Sequence, residues 1–353
     1  MTRPNPFVRA SLTLAVLLSL ALLFAVMRLV RANGVFSGAD TNFSGSCKTI
    51  AVAGVADIEI DAAHHLALLA VLNARAPGPA DGIYALDLAG RAKLTRLPGT
   101  PPDFHPRGIG LYHTANGGLF LAAINHRGGG TFSIDSFEVT QKDGARALSP
   151  VNTIQGGLLT DPQDVVMAGP NSFYVSNGVT GKSGLTRWLQ GYGVLAGGDI
   201  VYFNGMSLRE VVNGLSGARG LVLTGDGGHL LAAGVTGRDL ISLSREPFTG
   251  NLTEAGQLDL PASPDRLALD GNNLWVGAHA DLFSWRAAGR DAGARTSSQV
   301  FRVALSGGVP QSADQVYGND GSQISGAAVG AASGERLLIG SPLDGRLLDC
   351  NLR

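Results

Sequence analysis

Short apolar runs, separated by Gly, Asn, Asp and Pro, repeat along this chain from about residue 47 to its end. The clearest copy is the stretch 264–285, PDRLALDGNNLWVGAHADLFSW. Residues 266–270 read as an apolar strand, Asp270-Gly271-Asn272-Asn273 as a turn and 274–278 as a second strand. Ala280-Asp281 reads as another turn, and 282–285 as a third strand. Gly, Asn and Asp supply positive φ or side-chain-to-backbone turn bonds, so the pattern predicts hairpins for a physical reason.

The same order recurs in six units. Their central strands begin at His65, Gly118, Asn171, Gly228, Asn272 and Glu335, spaced by 53, 53, 57, 44 and 63 residues. Each is preceded by a strand that starts on a polar or Gly-containing corner, at Asp57, Arg107, Gln163, Arg219, Asp265 and Ile324. Each is followed by another strand, from Gly82, Thr131, Asp199, Arg238, Asp281 and Gly345. Units of about 50 residues match a four-stranded blade, so the pattern predicts an all-β, six-bladed β-propeller. A sandwich or two stacked barrels are the alternatives, and six copies of one order favour the ring. Residues 187–195 read as a short helix or insert in the third unit. The 50 Gly and the charged fraction of only 16% suit many tight turns between buried strands.

The first 31 residues stand apart. Residues 10–30 are almost wholly apolar and just long enough to span a bilayer. They read as an uncleaved transmembrane anchor or a secretory signal, with 32–46 as a polar tether and 47–353 as the propeller. Arg3, Arg9, Arg28 and Arg31 flank the run on both sides, so charge does not decide orientation. Those four taken from 27 basic residues leave 23 against 28 acidic ones, a folded part of net charge −5. Nothing in that balance points to nucleic acid. The two cysteines, Cys47 and Cys350, lie at the two ends of the folded region. In an exported chain that position suggests one disulfide joining the termini; two unrelated thiols are the other reading. Residues 47–52 are then the strand that closes the ring beside 346–352.

The innermost strands of a propeller surround one axis, so the six corners converge on one mouth. They bring Asp57, Arg107, Gln163, Asp164, Arg219, Asp265, Arg266 and Ser325 there. Any one corner is adequately explained as a turn former; six aimed at one axis suggest a ligand pocket.

These corners resemble the paraoxonase/arylesterase family, six-bladed propellers related to the gluconolactonase-like group. The likeness runs from Cys47 to Cys350. It includes Gly54-x-x-Asp57-Ile58-Glu59, Phe104-x-Pro106-x-Gly108-Ile109 and Asn125-His126. Further along come Asp164-Val165-Val166-x-x-Gly169-Pro170, Leu274-Trp275-Val276-Gly277-x-His279 and Leu337-Leu338-Ile339-Gly340. The resemblance implies hydrolysis of lactones or aryl esters, a Cys47–Cys350 disulfide and an anchoring N-terminal segment. It also implies two calcium ions in the channel. The structural ion takes Asp57, the carbonyl of Ile109 and Asp164, an oxygen set that suits calcium; the alternative is that both Asp pair with neighbouring Arg. The catalytic ion's positions are occupied here by Ala56, Gln163, Arg219, Asp265 and Arg266. One carboxylate and one amide against two guanidinium groups do not suit a divalent ion. The family's His pair is reduced to His126, with Arg107 in the other place, while a further pocket His is kept as His279. His126 and His279 are candidate bases or hydrogen-bonded structural residues. Two functions follow: an exported, membrane-anchored or secreted hydrolase of an ester or lactone with a remodelled Arg-containing site, or a propeller that binds an anionic small molecule or a protein partner.

Overall fold

The computed structural model describes residues 6–90 and 93–352. Among them lie six four-stranded antiparallel sheets arranged as the blades of one propeller. The innermost strands are Val55–Asp61, Pro106–His113, Pro162–Gly169, Ala218–Leu223, Ser263–Asp270 and Val329–Ser333, for blades 1 to 6. The ring closes as its terminal residues require. Ser46–Ala51 pairs antiparallel with Arg346–Asn351, setting Cys47 opposite Cys350, and the two form a disulfide across 303 residues.

The apolar residues on the two faces of each blade explain why the ring holds. Six buried clusters occupy the six gaps between neighbouring blades. Leu66, Leu68 and Ala70 of blade 1 meet Leu121, Ala123 and Phe137 of blade 2, and Val55 and Leu69 meet Val329 and Leu338 across the closure. Burial on both faces leaves little room for polar residues inside strands, which accounts for the runs that look continuously apolar.

Crowding at the axis accounts for two of the glycines. A Cβ on Gly108 would meet Asp164 Oδ1 at 2.4 Å and the Gln163 carbonyl at 2.7 Å. One on Gly220 would meet the Asp265 carbonyl at 2.4 Å and Arg266 Cα at 2.9 Å. The Arg-Gly pairs near the start of two innermost strands, Arg107-Gly108 and Arg219-Gly220, therefore combine a long cationic side chain with the one residue that lets the next blade approach.

Two expectations need correction. Asp281 does not open a strand. Its side chain accepts hydrogen bonds from Phe283 N–H (2.8 Å) and Ser284 Oγ (2.6 Å), capping a helix over Leu282–Arg290. The third strand of blade 5 is instead Ser298–Ser306. In blade 6 the innermost strand starts at Val329, so Ser325 is not a strand corner; its hydroxyl accepts from Thr296 N–H instead. The short helix expected near residue 187 is present as Gly184–Gly191, capped by Ser183.

We number the helices α1 (Pro6–Asn33), α2 (Gly184–Gly191) and α3 (Leu282–Arg290). Within α1, Ala10–Asn33 is apolar and long enough to cross a membrane. Its last residue is packed on the propeller: Asn33 is fully buried, donates to the Tyr192 carbonyl at 2.9 Å and accepts from Arg286 Nη1 at 2.5 Å. An apolar helix and a disulfide together fit a chain whose propeller lies outside the cytoplasm.

Candidate active site at the channel mouth

Five of the six innermost strands leave the ladder at the same place, next to their N-terminal ends. The pairing register shifts between Val55 and Asp57, Pro106 and Ile109, Pro162 and Asp164, Ala218 and Leu221, and Pro264 and Leu267. The residues skipped are Ala56, Arg107 with Gly108, Gln163, Arg219 with Gly220, and Asp265 with Arg266. A bulge frees a residue from its ladder partner and re-aims its side chain. Here it does so at the corner positions that the sequence pattern singles out.

Asp57 and Asp164 form the lower layer. Asp57 accepts from Ile58 N–H and from Ile109 N–H of the next blade, both at 2.9 Å. Asp164 accepts from Val165 N–H at 2.9 Å and from Leu221 N–H of its next blade at 2.8 Å. Each carboxylate thus stitches two blades together. Burial raises the Asp57 carboxyl, with Arg266 and the amides opposing. Burial and then the charge of Asp57 raise Asp164 well above the carboxylate range, Arg266 again opposing. Glu59 faces the same level, and its place inside the channel together with both Asp charges raises it well above its usual value. The guanidinium of Arg266 acts on both Asp57 and Asp164, and its own proton is held more tightly by Asp164, Asp265 and Asp57 in spite of burial.

Asp265 is the centre of the upper layer. Its Oδ1 lies 3.8 Å from Arg219 Nη1 and 3.7 Å from Arg266 Nη1, and its Oδ2 lies 2.9 Å from His279 Nε2. Burial disfavours the charge, but Arg219, the His279 hydrogen bond and Arg266 outweigh it and hold the carboxyl well below the usual range. An ionised Asp265 only accepts, so His279 Nε2–H donates to it. His279 is 1% exposed and packs against Trp285, with ring centroids 4.9 Å apart and the planes tilted by 38°.

His126 sits at one side. Its Nε2–H donates to the Pro162 carbonyl at 2.9 Å. Burial, and next the charge of Arg107, lower its pKa to about 3, so the ring is neutral. Arg107 is itself lowered to about 10 by burial, by Arg219 and by Arg266. The structure therefore brings Arg107, Arg219, Asp265, Arg266 and His279 together, with Gln163 beside them. His126 stands apart on the Arg107 side.

Sequence reasoning found one half of the canopy over this mouth, the short helix α2, and missed the other, α3. Helices α2 and α3 enclose a cavity of about 400 Å³ lined by Asp161, Arg187, Trp188, Arg219, Trp285 and Arg286. The Arg219 guanidinium lies 5.5 Å from the Trp285 ring centroid. Beneath it a cavity of about 20 Å³ touches Ala56, Arg107, Asp265 and Arg266, and Trp285 and Arg219 line both. Arg286 donates to the Gly191 carbonyl (2.6 Å) and to Asn33, joining the three helices; burial and then Arg219 lower its pKa to about 10. The overlooked signal was Asp281 with Ser284, a helix cap read as a turn.

Unpaired polar atoms are concentrated at this site. Gln163 Oε1, Asp265 Oδ1, Arg266 Nε and Nη1, His279 Nδ1 and Trp285 Nε1 are all buried without a hydrogen-bond partner. Such atoms are costly and uncommon in a protein interior, and six of them gather here.

The model of the arylesterase family matches residues 51–352. The chain belongs to the arylesterase family. Human serum paraoxonase/arylesterase 2 is 27% identical over 292 residues, covering 80% of this chain and 79% of that one. The rat protein of the same name is 27% identical over 256 residues, or 71% and 69%. Human serum paraoxonase/arylesterase 1 is 25% identical over 247 residues, or 68% and 66%. Among solved structures, a luciferin-regenerating enzyme aligns with a TM-score of 0.54 at 11% identity, over 87% of this chain and 95% of that one. The calcium-binding protein regucalcin from Agrobacterium tumefaciens aligns at 0.51 and 14% identity, over 88% and 95%. These two likenesses show the fold alone. The family is named for ester hydrolysis.

Proposed function

We propose that this arylesterase-family protein hydrolyses a small ester or lactone with guanidinium groups in the electrostatic role that a metal ion would fill. The observation that carries the reading is the pair Arg219 and Arg266 flanking Asp265 at 3.8 and 3.7 Å, below a cavity walled by Trp285. Ala56 and Gln163 complete that layer. A divalent ion there would face two fixed positive charges and one carboxylate, so the upper position does not fit calcium. The lower position does fit an oxygen-seeking cation. Asp57, Asp164 and Glu59 exceed the single positive charge of Arg266, and each Asp oxygen keeps a lone pair beyond its amide bond. An ion there would draw on Asp57, Asp164 and the Ile109 carbonyl and would contribute rigidity to the ring.

In this reading water adds to the substrate carbonyl and negative charge develops on its oxygen. Arg219 and Trp285 Nε1–H offer donors aimed at that charge. Collapse breaks the ester C–O bond and yields a carboxylate and an alcohol or phenol. Asp265 orients His279 through Nε2 and leaves Nδ1 as the site that accepts the proton of the water. The lowered basicity of Arg107 and Arg286 reflects burial first and then repulsion by neighbouring guanidinium groups, and an anionic ligand relieves that repulsion. The apolar α1 helix, docked by Asn33 next to the canopy, would hold the mouth close to a membrane.

A second reading has its own support. Neither His126 nor His279 lines either cavity, which favours binding of a carboxylate or other anion without turnover. The test uses the full chain in detergent with a panel of chromogenic esters and lactones. We expect turnover without added calcium, lost in Arg219→Ala and His279→Ala. Turnover that needs calcium and survives Arg219→Ala overturns the proposal. No turnover, with saturable binding of an aromatic carboxylate, establishes the second reading.

A further inference from the structure

All six innermost strands run away from the mouth, so their C-terminal ends gather at the opposite end of the channel. Two neighbours end there on potential ligands. The strand Val55–Asp61 of blade 1 finishes at Asp61 and turns through Ala62–His64, and the strand Pro106–His113 of blade 2 finishes at His113. Asp61 Oδ2 lies 2.7 Å from His64 Nδ1 and 3.2 Å from His113 Nε2. All three atoms fall within 4.8 Å of one another, and the two imidazole rings are near parallel, 6° apart at a centroid distance of 6.2 Å.

We propose that Asp61, His64 and His113 form a binding site for a divalent transition metal of the zinc class, distinct from the channel and independent of the hydrolase reading. The donor set decides the metal. Two imidazole nitrogens and one carboxylate oxygen suit zinc and its neighbours, and calcium and magnesium prefer oxygen alone. The geometry is already close. Ligands held at about 2.0–2.1 Å in a tetrahedron stand roughly 3.3 Å apart. The Asp61–His113 pair is at 3.2 Å, and the shorter Asp61–His64 contact has only to open by a few tenths of an ångström.

The carboxylate is also prepared. Asp61 is buried at 2% exposure, and its other oxygen accepts the His64 N–H at 3.2 Å, so Oδ2 is held towards the rings. Both His side chains are about half exposed, which gives the ion a route from solvent and leaves the fourth position for water. The spacing has a simple origin: Asp61 caps the single turn that carries His64 three residues on. Blade 2 supplies the third ligand, so a bound ion would staple blades 1 and 2 at the rim where no disulfide reaches.

The experiment is a calorimetric titration of the chelator-treated full chain in detergent with zinc chloride, in parallel with calcium chloride. Cobalt is added separately as a spectroscopic probe. We expect one saturable zinc site, a cobalt visible spectrum typical of tetrahedral nitrogen and oxygen ligation, and a melting temperature that rises by several degrees with zinc. His64→Ala and His113→Ala are surface changes that leave the fold intact, and each should weaken zinc binding at least tenfold and remove the thermal shift. The lower-channel variant Asp164→Asn should leave zinc binding unchanged. The absence of a saturable zinc site, or one unaffected by both His variants, overturns the proposal and leaves a hydrogen-bonded His–Asp–His cluster.

Discussion

Replacing Arg266 by Met tests the electrostatics of the channel most directly. Arg266 is 2% exposed and is the guanidinium that acts on Asp57, Asp164 and Asp265 together. At the 3.7 Å separation from Asp265, a pair of unit charges in a medium of effective dielectric about 20 attracts by roughly 4–5 kcal/mol. Relief of repulsion with Arg107 and Arg219 offsets part of that loss. Breaking a buried pair by removing one partner costs about 3–5 kcal/mol. For a domain of this size, at about 2.1 cal/mol/K of unfolding entropy per residue, that corresponds to a fall in melting temperature of about 5–8 °C at pH 7. The sign of the pH dependence follows from the carboxyls. Asp57, Asp164 and Glu59 are raised in the folded state, so the native protein binds more protons than the unfolded one as pH falls from neutrality. Without Arg266 they rise further, so the deficit should shrink on acidification, and Arg266→Lys should recover much of it. Tryptophan fluorescence melts of wild type and both variants at pH 7 and pH 5 provide the assay. A Met variant that melts within about 2 °C of wild type at both pH values would refute the view that Arg266 is the channel's counter-charge.

Three further outcomes are expected. His126 is held neutral, lowered from 6.5 to about 3, so its contribution is complete above the unfolded value and is lost as pH falls from about 6.5 towards 3; His126→Gln should melt less steeply with acid than wild type in the same fluorescence assay. Cys350→Ser opens a closure spanning 303 residues and should lower stability by about 5 kcal/mol at most, read by denaturant unfolding; a strand pairing left intact would make the loss smaller. Gly220→Ala places a methyl 2.4 Å from the Asp265 carbonyl and should lower both the melting temperature and any anion affinity at the mouth, whereas Gly144→Ala, in an open turn of blade 2, should change stability only through its positive φ.

The ring was legible because its cause is local and repeated. Each blade needs apolar residues on both faces and a polar corner, and six copies of that demand are visible as spacing in the chain. The closure by residues 46–51 and the Cys47–Cys350 pair followed from the same logic. Of the canopy, α2 was legible and α3 was not, because Asp281 is equally suited to a turn and to a helix cap. Only Ser284 and Phe283, reaching back to its carboxylate, choose the helix. The site was legible as a set of residues but not as a charge balance. Arg266 reads as a neighbour of Asp265; that it also faces Asp57 and Asp164 depends on its depth in the channel, which no spacing encodes. Asp61, His64 and His113 escaped for a related reason, since His113 is brought to the other two only by the packing of adjacent blades.

The bulges at the five corners have a consequence for how such molecules diversify. A residue excused from the ladder makes no cross-strand pair of its own, so its side chain can be exchanged without re-registering the strands, even where, as at Arg266, the exchange costs stability. Ala56, Arg219 and Arg266 stand at such excused positions. Likeness between propellers of this family therefore tracks the blades, and relatives with the same ring need not share a reaction. Sorting them by the side chains carried at the five bulges should separate mouths that hold several guanidinium groups, as this one does with Arg107, Arg219 and Arg266, from mouths that hold none.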